Sequence, residues 1–193
     1  MEGEETMRTI GITTPWIGAD EAVRIAEWLE SGKIDYIHLR HPDADVRQVE
    51  RLILRIPQHL RRRLTLHGHF SIAQKLDVGG IHLNSRHPEP PAWTRAYPLR
   101  VSRSCHSLAE LDECHGLDYA FLSPIFDSIS KHGYSSAFPP ESLPALAKAL
   151  ADAPCRIIAL GGVTPDAFPM LRRLGFAGGA MLGYLWDMQR PDK

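Results

Sequence analysis

Eight short runs with strand character recur along the chain, and segments of helical period separate most of them. The runs fall at residues 8–14, 35–40, 64–67, 80–84, 99–105, 119–123, 156–160 and 179–182. Between the first two, Ala22, Ile25, Ala26 and Leu29 form one apolar stripe over residues 19–31, and Gly32 stops it. Val46, Val49, Leu52, Ile53 and Ile56 mark a second helix over 44–59. A short helix is expected at 70–76. Another is expected at 107–115, where Ser107 and Glu110 have capping-box spacing. Helices at 140–150 and 165–174 carry proline near their first turns. Eight strands, each followed by a crossover, predict a single (β/α)8 barrel, an α/β fold, over residues 8–193, with 1–7 as a tail. The rival is a doubly wound open sheet. It usually opens on a glycine-rich turn, whereas this chain has Thr14-Pro15-Trp16 there.

Length then sharpens the expectation. At 193 residues the chain is short against the ~250 of a typical barrel, so its crossovers must be trimmed. Only residues 184–193 follow Gly183, which predicts a shortened final helix. That leaves Leu185, Trp186 and Met188 to cover the eighth strand or to meet a partner subunit. The 22 Lys and Arg against 23 Asp and Glu exclude a globally basic nucleic-acid binder. Arg61-Arg62-Arg63 has no interleaved aromatics and reads as a solvated turn or helix end. Three cysteines without CxxC spacing argue against a disulfide scaffold and fit a reducing cytoplasm. No run of ~18 apolar residues predicts a membrane span, and the acidic N-terminus lacks the apolar core of a signal peptide.

Barrel enzymes place their chemistry at the C-terminal ends of the strands. Here those ends carry His38 and Arg40, His67, His82, His106, the segment from Ser123 to Lys131, Gly161-Gly162, and Gly183. The glycines let backbone N–H groups approach an anion closely, and Ser128, Ser130 and Lys131 add two hydroxyls and a charge. Together they form a candidate phosphate site. The plainer alternative is that Gly161-Gly162 only makes a tight turn. His106 is a candidate acid–base group because an imidazole pKa near 6.5 serves proton transfer both ways. It could instead cap a helix or sit in a satisfied core. The parity of His38 and Arg40 points both toward the barrel interior. His38, His67 and His82 are candidate pocket residues. A metal site is the less favoured reading of them, because no tight ligand spacing occurs, and hydrogen-bonded lining histidines are preferred.

The ordered segments DYIHLR, LTLHGHFSIA, GGIHLNS, SRSCHSLAEL, DYAFLSPIFDSISKHG, IIALGGVTPD and GFAGGAMLGYLW resemble the thiamine phosphate synthase superfamily, including its thiazole tautomerase (TenI-like) branch. The resemblance is collinear over about residues 8–186. It implies a (β/α)8 barrel, usually a homodimer, acting on a phosphorylated thiazole. It also implies that Ser128, Ser130, Lys131, Gly161, Gly162 and Gly183 hold the phosphate. Synthases pair an arginine with a lysine to hold pyrophosphate; Arg40 matches the first and Pro42 replaces the second. Their two Mg²⁺ aspartates fall within the His67-Gly68-His69 element and at His87. Tautomerases carry their catalytic histidine in a Ser-x-His context, which is Ser104-Cys105-His106 here. The sequence therefore predicts a tautomerase-like proton transfer by His106, assisted by Arg40, with no cofactor. The alternatives are an Mg²⁺-dependent synthase and a non-catalytic, regulatory binder of a phosphorylated ligand.

Overall fold

The structure, a computed structural model, describes residues 6–126 and 140–187. Eight parallel strands close in sequence order into a barrel. They are β1 (Arg8–Ile12), β2 (Tyr36–Leu39), β3 (Leu64–Leu66), β4 (Gly80–Leu83), β5 (Arg100–Cys105), β6 (Tyr119–Leu122), β7 (Arg156–Leu160) and β8 (Gly178–Met181). Closure excludes the open doubly wound sheet. β3, β4, β6 and β8 are buried along their whole length, which explains why LTL and YAFL read as near-continuous apolar runs. Contacts within the chain form two compact units. One is built from Ile10–Arg103; the other runs from Ser104 onward and includes the start of β1.

The helices are α1 (Glu21–Glu30), α2 (Val46–Arg55), α3 (Ile72–Lys75), α4 (Leu143–Asp152), α5 (Phe168–Leu174) and α6 (Gly183–Asp187). α2 starts on a full capping box. Asp45 accepts from the Gln48 backbone N–H, and the Gln48 side chain accepts from that of Asp45, both at 2.8 Å. The expected helix at 44–59 is cut at Arg55. Ile56 precedes Pro57, is pushed into extended backbone, and a 3-10 segment follows at Gln58–Arg63.

The trimming lies where the sequence pattern was weakest. The β4–β5 and β5–β6 crossovers contain only 3-10 turns, at Ala92–Ala96 and Ala109–Glu113. The helix expected at 107–115 is therefore a single turn. Its capping box does not form, because the Glu110 carboxylate accepts from the His106 backbone N–H (3.1 Å) and the Ser107 hydroxyl (2.9 Å). Leu185 is buried within α6, and Met188 lies outside the described residues.

The arginine triplet ends the 3-10 segment, one of its two expected places, but its guanidiniums are hydrogen-bonded to the protein. Arg63 donates to the carbonyls of Leu29, Ile34 and Asp35, closing the C-terminal end of α1 against β2. Arg61 donates to Leu54 and Ile56, while Arg62 reaches Asp77, Tyr97 and the Pro98 carbonyl. Hydrogen bonds from charged donors contribute about 1.5–3 kcal/mol each. Arg63→Met is expected to destabilise the protein by about 2–4 kcal/mol, read as a lower urea midpoint at unchanged slope. A change below about 0.5 kcal/mol would show that these carbonyls are satisfied without Arg63.

All three cysteines are free thiols; Cys105 and Cys114 are buried with their sulfurs 3.5 Å apart. Among the described residues no helix is long and apolar enough to cross a membrane.

Candidate functional site

Three adjacent strands of the first unit bring their histidines together. His38 lies on β2, His82 on β4, and His67 directly follows β3, its backbone N–H bonded to the Leu39 carbonyl at 3.2 Å. His67 and His82 stack at 4.2 Å between ring centroids. His38 meets both edge-on, at 5.1 and 5.2 Å. His38 Nδ1 and His67 Nε2 share a hydrogen bond of 2.9 Å, so the expected hydrogen-bonded lining histidines are present. Burial, then the neighbouring histidines and Arg100, lower the His38 pKa well below the usual imidazole value. Burial, then His82, Arg40 and His41, do the same to His67. Burial and Arg40 push His82 down to about 3. All three rings are therefore neutral at physiological pH.

His67 also lines a cavity of about 830 Å³ at the C-terminal ends of β2, β3 and β4. Its polar wall includes Arg40, His41, His69, Asn84, Arg86 and His87. Strand parity suggested that Arg40 points into the barrel; it lines the cavity, and its charge acts on His67 and His82. It lies one residue past β2, exposed, with its backbone N–H held by Thr13 Oγ1 at 2.9 Å. His69 does not join His67. Its φ of 53° turns the ring away, and Nε2 sits 2.9 Å from the Ala44 carbonyl.

The sequence reading missed Glu21; Asn84 it placed only at the end of the fourth strand. Glu21 is buried at the start of α1, with Oε1 2.9 Å from His41 Nε2 and Oε2 accepting from Gly18 N–H. Asn84 donates to the His67 carbonyl and accepts from the backbone N–H groups of Arg86 and His87. Its place at the end of an apolar strand run was the available signal. Glu21 gave none, since an acidic residue in a first helical turn is ordinarily solvated.

Among the described residues no Asp or Glu lines this cavity. Mg²⁺ takes oxygen ligands in near-ideal octahedral geometry and usually needs one or two carboxylates. The imidazoles and guanidiniums present do not supply them, so these residues do not fit Mg²⁺.

In the second unit His106 directly follows β5 and is exposed. Its Nδ1 lies 3.2 Å from the Ser123 carbonyl and 3.3 Å from Ser123 Oγ. A carbonyl only accepts, so this contact needs the proton on Nδ1. The neutral ring then presents Nε2 as a base.

Gly161 and Gly162 follow β7 and Gly183 opens α6 after β8; β7 and β8 are paired. The turn requires Gly161 whether or not an anion binds. Its φ is +95°, and a Cβ there would stand 2.9 Å from Pro124 Cα. The loop after β6 is strapped to this turn by Ile125 N–H to Leu160 O (2.9 Å) and Phe126 N–H to Gly161 O (3.1 Å). Gly161→Ala is expected to cost about 1–3 kcal/mol without any ligand, measurable by urea unfolding. Ser128, Ser130 and Lys131 lie outside the described residues.

The family model described as thiamine monophosphate synthase matches residues 10–185. The chain belongs to that family. Its place in a superfamily of thiamine biosynthesis follows. Among curated relatives of this thiamine monophosphate synthase family member, the thiamine-phosphate synthase of Bacteroides fragilis is 26% identical over 182 residues, covering 89% of this chain and 86% of that protein. That of Levilactobacillus brevis is 32% identical over 127 residues, covering 63% of this chain and 57% of the relative. Among solved structures, thiamine phosphate pyrophosphorylase from Bacteroides thetaiotaomicron superposes with a TM-score of 0.80 at 33% identity, covering 97% of this chain and 89% of that one. The relatives' names favour the synthase alternative over the tautomerase expectation.

Proposed function

We infer that this family member moves a proton on a phosphorylated thiazole, with His106 as the acid–base group. The observation that carries the reading is the carboxylate-free wall of the cavity at β2–β4. Displacing pyrophosphate needs its developing charge neutralised, and the two aspartates that the resemblance implies for Mg²⁺ would fall at Gly68 and His87, neither of them a carboxylate. Proton transfer makes no such demand. It needs one group at the mouth of a strand that can take up and return a proton, and the Nδ1–H form of His106 leaves Nε2 ready to accept. The glycines after β7 and β8, with Ser128, Ser130 and Lys131, are the groups that the resemblance assigns to the phosphate.

The second reading is thiamine phosphate synthase, favoured by the names of the relatives. One pair of assays separates them. Purified protein is given the non-aromatic thiazole carboxylate phosphate alone, then thiazole phosphate with the pyrimidine pyrophosphate and Mg²⁺. Isomerisation in the first assay with no thiamine phosphate in the second supports proton transfer. Mg²⁺-dependent thiamine phosphate formation overturns it, and tight ligand binding without turnover in either assay identifies a non-catalytic binder.

A further inference from the structure

The three histidines of β2–β4 belong to no step of the proposed proton transfer, yet they are the most concentrated set of nitrogen donors among the described residues. We propose that His38, His67 and His82 bind a zinc-class divalent transition metal, with a fourth position open toward the cavity. One ligand nitrogen from each ring already lies within 4.8 Å of the other two. Nitrogens at 2.0–2.1 Å on a tetrahedral zinc stand about 3.3 Å apart. Small ring rotations therefore close the set, and the 2.9 Å pair of His38 and His67 has only to open slightly. There the ion takes the place of the shared proton, which remains on that imidazole at its other nitrogen.

The protonation states suit ligation. Neutral imidazoles are the form that binds zinc, and burial keeps these rings neutral. Ser102 Oγ contacts His82 Nδ1 at 2.9 Å and donates to the Ile81 carbonyl at 3.4 Å. With His82 protonated at Nδ1, Ser102 Oγ accepts from it and Nε2 is left as the ligand, the outer-shell arrangement typical of metal-bound histidine. His38 and His82 are almost wholly buried, while His67 reaches the cavity wall, so an ion enters past His67. Three protein nitrogens and one open position is the pattern of a reactive rather than a purely structural zinc site. Arg40 and Arg100 act on these rings as positive charges and oppose a bare cation. The open position is accordingly filled by an anion, hydroxide or an oxyanion drawn from the cavity.

Tag-free, EDTA-treated full-length protein titrated with Co²⁺ tests the proposal without reference to catalysis. The expected result is one equivalent bound, with the intense visible band of a four-coordinate ion, displaced by Zn²⁺. His67→Ala is expected to weaken binding by more than the roughly 100-fold that outer-shell changes cause, while His69→Ala leaves it unchanged. Absence of the band, or equal losses from both variants, overturns the site. If His67→Ala misfolds, X-ray absorption on the zinc-loaded wild type decides: three imidazoles support the site, and fewer overturn it.

Discussion

His106→Asn is expected to lower turnover on the thiazole substrate by about 10²–10⁴-fold while leaving its dissociation constant within a few-fold. Asparagine preserves polarity and approximate size but cannot carry a proton near neutral pH. The loss should therefore fall on kcat, since an interaction used only in the transition state has been removed. The Nδ1–H contact to the Ser123 carbonyl defines the alternative roles clearly. If His106 merely positions the loop after β6, the amide N–H of asparagine can replace that contact and activity survives. If Nε2 is the base, it does not. Isothermal titration beside steady-state kinetics separates the two, and unchanged kcat removes His106 from the mechanism. His106 is exposed, so the variant should fold normally.

Acid should destabilise the metal-free protein already above the pH at which carboxylates protonate. His82 is held at about 3 by burial and Arg40, against about 6.5 in an unfolded chain. A group with a lowered folded pKa binds protons more readily when unfolded. Its contribution is fully present above pH 6.5 and is lost as pH falls toward the folded value. At pH 5 the loss from His82 alone is about 2 kcal/mol, at ~1.4 kcal/mol per unit over 1.5 units. His38 and His67 are displaced in the same direction, so the total is larger. Urea unfolding of EDTA-treated protein at pH 7.5 and 5 should show this drop, and His82→Asn should reduce it by about the share of His82. Equal stability at both pH values would show that water reaches the rings and relieves the burial.

The residues that governed local backbone were readable in advance. Strand positions emerged to within a residue or two, because a parallel barrel buries both faces of its strands and leaves continuous apolar runs. The early end of α2 was also written in the chain, since Pro57 forces Ile56 out of helix. The crossover at 107–115 was harder. Ser107 and Glu110 have the spacing of a capping box, but Glu110 is diverted to the His106 N–H, a choice between two nearby donors that spacing does not contain.

For the site the division is similar. His106 stands after β5 and the glycines after β7 and β8, where the sequence placed them, because strand ends are a matter of sequence position. The chain by itself determined the eight-strand order and the family. What tertiary structure decided was convergence. His38, His67 and His82 are 29 and 15 residues apart, with no ligand spacing to suggest a cluster. Parallel pairing of β2, β3 and β4 places them within one cluster, while a positive φ turns the neighbouring His69 elsewhere. Spacing along a chain encodes proximity only within one helix or strand. Across strands, proximity is set by register, and register is settled by packing of the closed barrel.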